Sequence, residues 1–178
     1  MGCNGAGEPR FFLLEHRSRP PAEPCRSSAQ GALEMKLLML EDDLDRIARF
    51  TTVLHQDSSE HKLTYRRTAP SFIELYLSLT RNEERPDLIC LDHDLFTDHV
   101  NDPDPGDGRD VAVFLSDCEP ICPVLIHSTN ASAADSMLYN LLEAGWIADR
   151  IVPLGTDWIE AYWFPYVRDN FRDNQNSV

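Results

Sequence analysis

The chain has 178 residues, 42% of them hydrophobic, enough for one domain with a real core. Thirty Asp and Glu against sixteen Lys and Arg give a net charge of −14; such a surface repels phosphate backbones and excludes a broad nucleic-acid-binding face, while leaving room for a local site that holds a cation. No apolar segment approaches a membrane span, and five cysteines without a CxxC pair fit neither a disulfide framework nor a zinc site, so a reduced cytoplasm is expected.

Residues 1–34 are rich in proline, serine, arginine and glycine and read as a disordered N-terminal extension. Gly2 and Cys3 hint at lipidation, but Ala6 stands where a myristoylation signal requires Ser or Thr. The short "FFLL" run is followed by charge and is no secretory core. The folded domain is expected over 35–178.

From Lys36 onward, strand and helix patterns alternate. "KLLML" (36–40) is a continuous apolar run, as in a strand covered on both faces. "DLDRIARFTTVLHQ" follows with Ile47, Phe50 and Leu54 at helical spacing and Asp43 as N-cap. "HKLTYRR" (61–67) is a half-exposed strand ending in Arg67, whose expected role is a surface ion pair. "TAPSFIELYLSLTRN" starts a helix at Thr68 and Pro70, with Phe72, Leu75 and Leu79 on one side.

"DLICLD" (87–92) is a second apolar strand. An acidic, turn-rich loop from Thr97 to Gly108 leads to a short helix, "DVAVFLSDC" (110–118), with Val111, Phe114 and Leu115 inward. "PVLIHS" (123–128) is the third apolar strand. The helix "SAADSMLYNLLEAGW" carries Ala134, Leu138, Leu141 and Leu142 on a stripe and ends at Gly145. "RIVPL" (150–154) is the last strand, and "DWIEAYWFPYVRDNF" (157–171) is an aromatic C-terminal helix bent or restarted at Pro165, its Trp158, Tyr162, Trp163 and Tyr166 expected to pack in the core.

Alternating β and α elements give an α/β sandwich of three layers around a five-stranded parallel sheet, in the flavodoxin-like order 2-1-3-4-5. Ligands in that architecture bind beyond the carboxyl ends of the strands. Strand one ends in Glu41, Asp42 and Asp43, strand three in Asp92, His93 and Asp94, strand four in His127 and Ser128. All three clusters therefore fall on one rim. Carboxylates gathered from neighbouring strands repel unless a cation joins them, and hard oxygen donors suit Mg²⁺ completed by phosphate oxygens. Glu41, Asp42 and Asp92 are the candidate metal acids. His16, His55, His61 and His99 lie in tail, helix-end or loop contexts and are expected to be solvated.

"KLLMLEDD", "DLICLDHDL" and "PVLIHS" resemble the receiver domains of bacterial response regulators. The resemblance matches Glu41 and Asp42 to the acidic pair, Asp92 to the phosphoacceptor and Ser128 to the Thr or Ser after strand four. Receivers also end strand five with a lysine, which "RIVPLGTDW" lacks. "LEDDLDRIARF", "LDHDL", "GDGRDVAVFL" and "IHSTN" are similar to a narrower, receiver-derived family, the cyclic-phosphate processing receiver domains. That resemblance implies Mg²⁺-dependent processing of cyclic phosphates of nucleotides or RNA ends, a small-molecule or RNA-terminal partner, and a homodimer, since receivers pair through their last helices.

In this reading His93 and His127 supply acid–base chemistry near neutral pH, Ser128 donates to a phosphoryl oxygen, and Asp92 is metal ligand or nucleophile, two roles the sequence does not separate. Asn130 caps the next helix. Strand parity limits the site: His127 and Ser128 share a pocket only where the strand has ended, and His93 faces away from Asp92 and Asp94. The alternatives are a phosphoacceptor receiver of a signalling system and a non-catalytic module that senses a nucleotide or docks a partner.

Overall fold

Continuous apolar runs become the middle of the sheet. β1 (Lys36–Leu40), β3 (Leu88–Leu91) and β4 (Val124–His127) are buried almost end to end, because helices cover both of their faces. β2 (Lys62–Arg66) and β5 (Ala148–Ile151) are partly exposed and form the two edges. The sheet is parallel throughout, in the order β2-β1-β3-β4-β5. These observations come from a computed structural model, which describes residues 34–173 apart from residue 59, with only the backbone at 171–173. The N-terminal extension expected over 1–34 lies outside the described residues, Glu34 excepted, as do Gly2, Cys3, His16 and Cys25.

Strand parity divides the core in two. Leu38, Leu40, Ile89, Leu91 and Ile126 face α2 (Ala69–Arg81), α3 (Gly108–Ser116) and α4 (Ala131–Glu143). Leu37, Met39, Cys90 and Leu125 face α1 (Leu44–Asp57), the π-helical turn Ile159–Trp163 and α5 (Phe164–Asp173). Burying a large apolar side chain contributes roughly 1.5–3 kcal/mol, so each layer is held by many such terms.

The helix ends follow their local chemistry. Asp43 caps α1 by accepting from the N–H groups of Asp45 and Arg46, and Thr68 caps α2 by accepting from Ser71. Asn130 caps α4 through Ala133 N–H, as expected. Gly145, at φ +85°, ends α4: its N–H donates to Leu142 and that of Trp146 to Leu141, a left-handed turn that a side chain resists.

Four sequence expectations change. β5 spans Ala148–Ile151 rather than 150–154, because Pro153 has no N–H for the ladder. Leu142 is half exposed, and Ala133 and Met137 take its place in the α4 core stripe. His61 is buried rather than solvated: its Nδ1 accepts from Met35 N–H at 3.2 Å and its Nε2 lies 3.1 Å from Asp57 Oδ2. The aromatic C-terminal segment does restart near Pro165, but Tyr162 points outward.

Candidate functional site

Register, more than composition, builds the site. Leu40 lies opposite Leu91, and Leu91 opposite Ile126. The next residue on each strand is therefore Glu41, Asp92 or His127, and the three form one row with side chains on one face. Ligand atoms of Glu41, Asp92 and His127 all lie within 4.8 Å of one another. One residue further on, Asp42, His93 and Ser128 make a second row that parity turns toward α2, α3 and α4.

The first row is sealed from solvent. Glu41 and His127 are wholly buried and Asp92 is 3% exposed. Arg46, one turn into α1, reaches into it: its Nη2 lies 2.9 Å from Glu41 Oε1, 2.9 Å from Asp92 Oδ2 and 3.8 Å from Asp42 Oδ1. Three carboxylates thus aim at one positively charged nitrogen. Burial works against the charge of Arg46, but Glu41, Asp92, Asp43 and Asp42 together outweigh it and hold its pKa up. Burial, and then the nearby Glu41 charge, pushes the Asp92 carboxyl above its ordinary range despite His127 and Arg46. Asp42 is raised as well, by burial first, against the N–H bond it accepts from Phe96.

His127 closes the row. Its Nε2 lies 3.3 Å from Glu41 Oε2, while its ring stacks on Trp158 at 5.8 Å and meets Phe50 edge-on at 5.5 Å. Its Nδ1 is buried without a hydrogen-bond partner. Nε2 is the ring nitrogen that faces the Glu41 carboxylate, so a proton on it is donated to Glu41. A metal-bound imidazole normally donates its other N–H to an acceptor. Among the described residues Nδ1 of His127 has none, while its ring lies with Glu41 and Asp92 in a group whose ligand atoms are close enough to share an ion.

The second row behaves differently. His93 Nδ1 lies 2.8 Å from Asp94 Oδ1, and Arg109 Nε donates to His93 Nε2 at 3.1 Å. Because Arg109 can only donate, the His93 proton is on Nδ1, toward Asp94. Gly108 allows this: a Cβ there would sit 2.3 Å from Asp92 O and 2.9 Å from His93 Cα, so only glycine lets α3 start against the end of β3. Ser128 is buried, and its Oγ accepts from Asn130 N–H. Asp42 Oδ2 accepts from Phe96 N–H at 2.8 Å, and its Oδ1 is buried without a hydrogen-bond partner.

Of the residues expected at the site, the structure brings Glu41, Asp92 and His127 together, with Asp42 at their margin. It places His93 on the far side of β3 and leaves Ser128 at the turn after β4. Arg67 makes the expected ion pair, holding Asp98 with two bonds of 2.7 and 2.8 Å. Two participants escaped sequence reading. Arg46 had a signal, since it follows Asp42 by four residues, one helical turn. Trp158 had none, because only the folded chain returns it to His127.

The donor set fits a divalent cation. Oxygens of Glu41 and Asp92 converge on one point, and a buried oxygen of Asp42 nearby has no hydrogen bond. A five-stranded 2-1-3-4-5 sheet with an acidic rim at the strand ends defines a receiver domain of the response-regulator type.

The comparisons agree. The family model of the cyclic-phosphate processing receiver domain matches residues 36–143, and the chain belongs to that family. The Mn²⁺-bound form of the response regulator Rcp1 is similar, with 20% identity, a TM-score of 0.52 and coverage of 73% of this chain and 94% of that one. So is the phosphorylated cyanobacterial phytochrome response regulator RcpA, at 19% identity and TM-score 0.51, covering 80% and 92%. A receiver domain protein from Clostridium thermocellum matches at 11% identity and TM-score 0.55, covering 81% and 99%. No curated protein matches the chain.

Among the described residues no helix is long and apolar enough to cross a membrane.

Proposed function

We propose that this rim binds Mg²⁺, or a similar divalent cation, between Glu41, Asp42 and Asp92, and hydrolyses cyclic phosphates of nucleotides or RNA ends. The observation that carries the reading is the convergence of Glu41 and Asp92 oxygens, each 2.9 Å from one cationic nitrogen, with the His127 imidazole alongside at 3.3 Å. When bound, such a cation polarises the phosphoryl oxygens and offsets the charge that builds on them.

The lysine that ordinary receivers place at this edge has no counterpart. The chain's two lysines, Lys36 and Lys62, each begin a strand and lie at the opposite edge of the sheet. The proton-bearing His127 Nε2 takes up the positive end of the site instead. In the reacting form His127 is an imidazolium: it gives its Nε2 proton to the leaving alkoxide as water adds to phosphorus and the ring P–O bond breaks, and the neutral imidazole recovers a proton from the attacking water. Ser128 donates its hydroxyl hydrogen to a phosphoryl oxygen. His93, held between Asp94 and Arg109, positions Arg109 instead of exchanging protons with the substrate.

Incubation with nucleoside 2′,3′-cyclic phosphates and Mg²⁺ or Mn²⁺ tests the reading. Turnover that chelator removes and His127→Ala abolishes is expected; its absence with every cyclic phosphate tried counts against it.

One observation favours a second reading, a signalling phosphoacceptor: Asp92 directly follows β3 at the rim, where RcpA-like receivers share the fold. Cation-dependent binding of beryllofluoride to Asp92, without turnover of any cyclic phosphate, would favour it. In either case two copies would pair through the exposed apolar side chains around α4 and β5, among them Tyr139, Ile147 and Leu154.

A further inference from the structure

The loop after β3 holds an aromatic ring in the open beside the carboxylates. Phe96 is 71% exposed, although the backbone on both sides of it is tied down. Leu95, just before it, is buried in the core. The N–H of Phe96 itself donates to Asp42 Oδ2 at 2.8 Å. Two residues on, Asp98 takes both terminal nitrogens of Arg67, whose Nε donates to the Asp42 carbonyl at 3.1 Å. Two of these anchors, the Phe96 N–H and the Arg67 that holds Asp98, lead back to Asp42.

Leu44, two residues beyond Asp42 at the start of α1, is also 55% exposed. A scattered exposed apolar residue is ordinary. An exposed aromatic ring whose backbone N–H is bonded to a carboxylate of the cation site has the form of a ligand contact.

We infer that Phe96 is the stacking platform for the base of a nucleoside cyclic phosphate whose phosphate lies at the carboxylate rim. This rests on the phosphate-binding reading above and specifies its substrate class. Stacking on a benzyl ring accepts any base, so the platform selects nucleosides over other cyclic phosphates without choosing among bases. The net charge of −14 favours a single nucleotide over a long strand, whose further phosphates the surface repels.

The test measures binding of two probes to the full chain in Mg²⁺ by calorimetry: adenosine 2′,3′-cyclic phosphate and glycerol 1,2-cyclic phosphate. The wild type is expected to bind the adenosine compound at least tenfold more tightly. Phe96→Ala is expected to remove that preference, weakening the adenosine probe about tenfold while leaving the glycerol probe within about twofold; Phe96→Tyr restores it. Both probes bound equally by the wild type, or both weakened equally in Phe96→Ala, would overturn the platform and leave the phosphate site standing. Neither probe bound by the wild type would overturn the phosphate site itself, and the platform with it. An oligoribonucleotide ending in the same cyclic phosphate separates the sources of the ligand: tighter binding than adenosine 2′,3′-cyclic phosphate would overturn the preference for a single nucleotide.

Discussion

The two rows at the sheet's rim differ by a single residue along each strand and are both buried, yet they have different partners. Glu41, Asp92 and His127 face α1 and the aromatic C-terminal segment, where Phe50 and Trp158 pack on His127 and, among the described residues, Arg46 is the cation that reaches the acids. Asp42, His93 and Ser128 face the other helical layer, where Asp42 Oδ2, His93 Nε2 and Ser128 Oγ accept from Phe96, Arg109 and Asn130 while Asp42 Oδ1 has no hydrogen-bond partner. The same residue type therefore does two jobs. The His127 ring lies against the buried Glu41 carboxylate, and the His93 ring lies between Asp94 after β3 and Arg109 of α3.

The largest expected effect separates the two histidines directly. His127→Ala should lower turnover of nucleoside cyclic phosphates by about 10²–10⁴-fold, the usual range for losing a general acid, whereas His93→Ala should cost less than about tenfold. Equal losses in steady-state kinetics would erase the distinction between the rows.

Next comes Arg46→Ala. Removing the cation leaves Glu41 and Asp92 buried and uncompensated, and breaking such a pair costs about 3 kcal/mol, the low end of the usual range because Arg46 remains one-quarter exposed. In urea unfolding with chelator the variant should lose that stability, and Mg²⁺ or Mn²⁺ should restore much of it. A loss that neither ion repairs would argue that Arg46, rather than a metal, is the permanent partner of the acids.

Gly108→Ala tests the second row through the start of α3. The new Cβ meets Asp92 O, His93 Cα and Met137 Cε at 2.3, 2.9 and 2.8 Å, so α3 must shift, at a cost of about 1–3 kcal/mol. The His93–Arg109 bond should go while the stability gained on adding Mg²⁺ stays as in the wild type. Histidine NMR signals and unfolding curves would show whether the rows are separable.

The smallest effect is one of pH. In chelator, Asp92→Asn should be more stable than the wild type at neutral pH, with an advantage that shrinks as pH falls toward 3.8. The sign follows from the raised carboxyl: folded Asp92 holds its proton more tightly than unfolded Asp92. Its destabilising charge is then complete above the folded pKa and gone below the unfolded one. Unfolding midpoints at several pH values check this, and a wild type more stable at neutral pH would reverse the argument.

Much of this was legible in the chain. Runs such as "LICL" and "VLIH", with no polar alternation, require helices on both faces, and the alternation of elements then dictates a parallel sheet. That in turn gathers the strand-end acids on one rim, because the carboxyl ends of parallel strands share an edge. Parity alone set His93 apart from Asp92.

What the chain could not settle was the alignment between strands. Side chains alternate along every strand, so grouping Glu41 with Asp92 and His127, rather than with their neighbours, depends on which residues lie opposite one another. Hydrogen-bond register and helix packing decide that together. The same packing brings Trp158 to His127 from 31 positions away in sequence and turns Arg46 inward. Residue types and their order along each strand were local information; the partners of a buried charge are not, because they arrive from other elements only when the core closes.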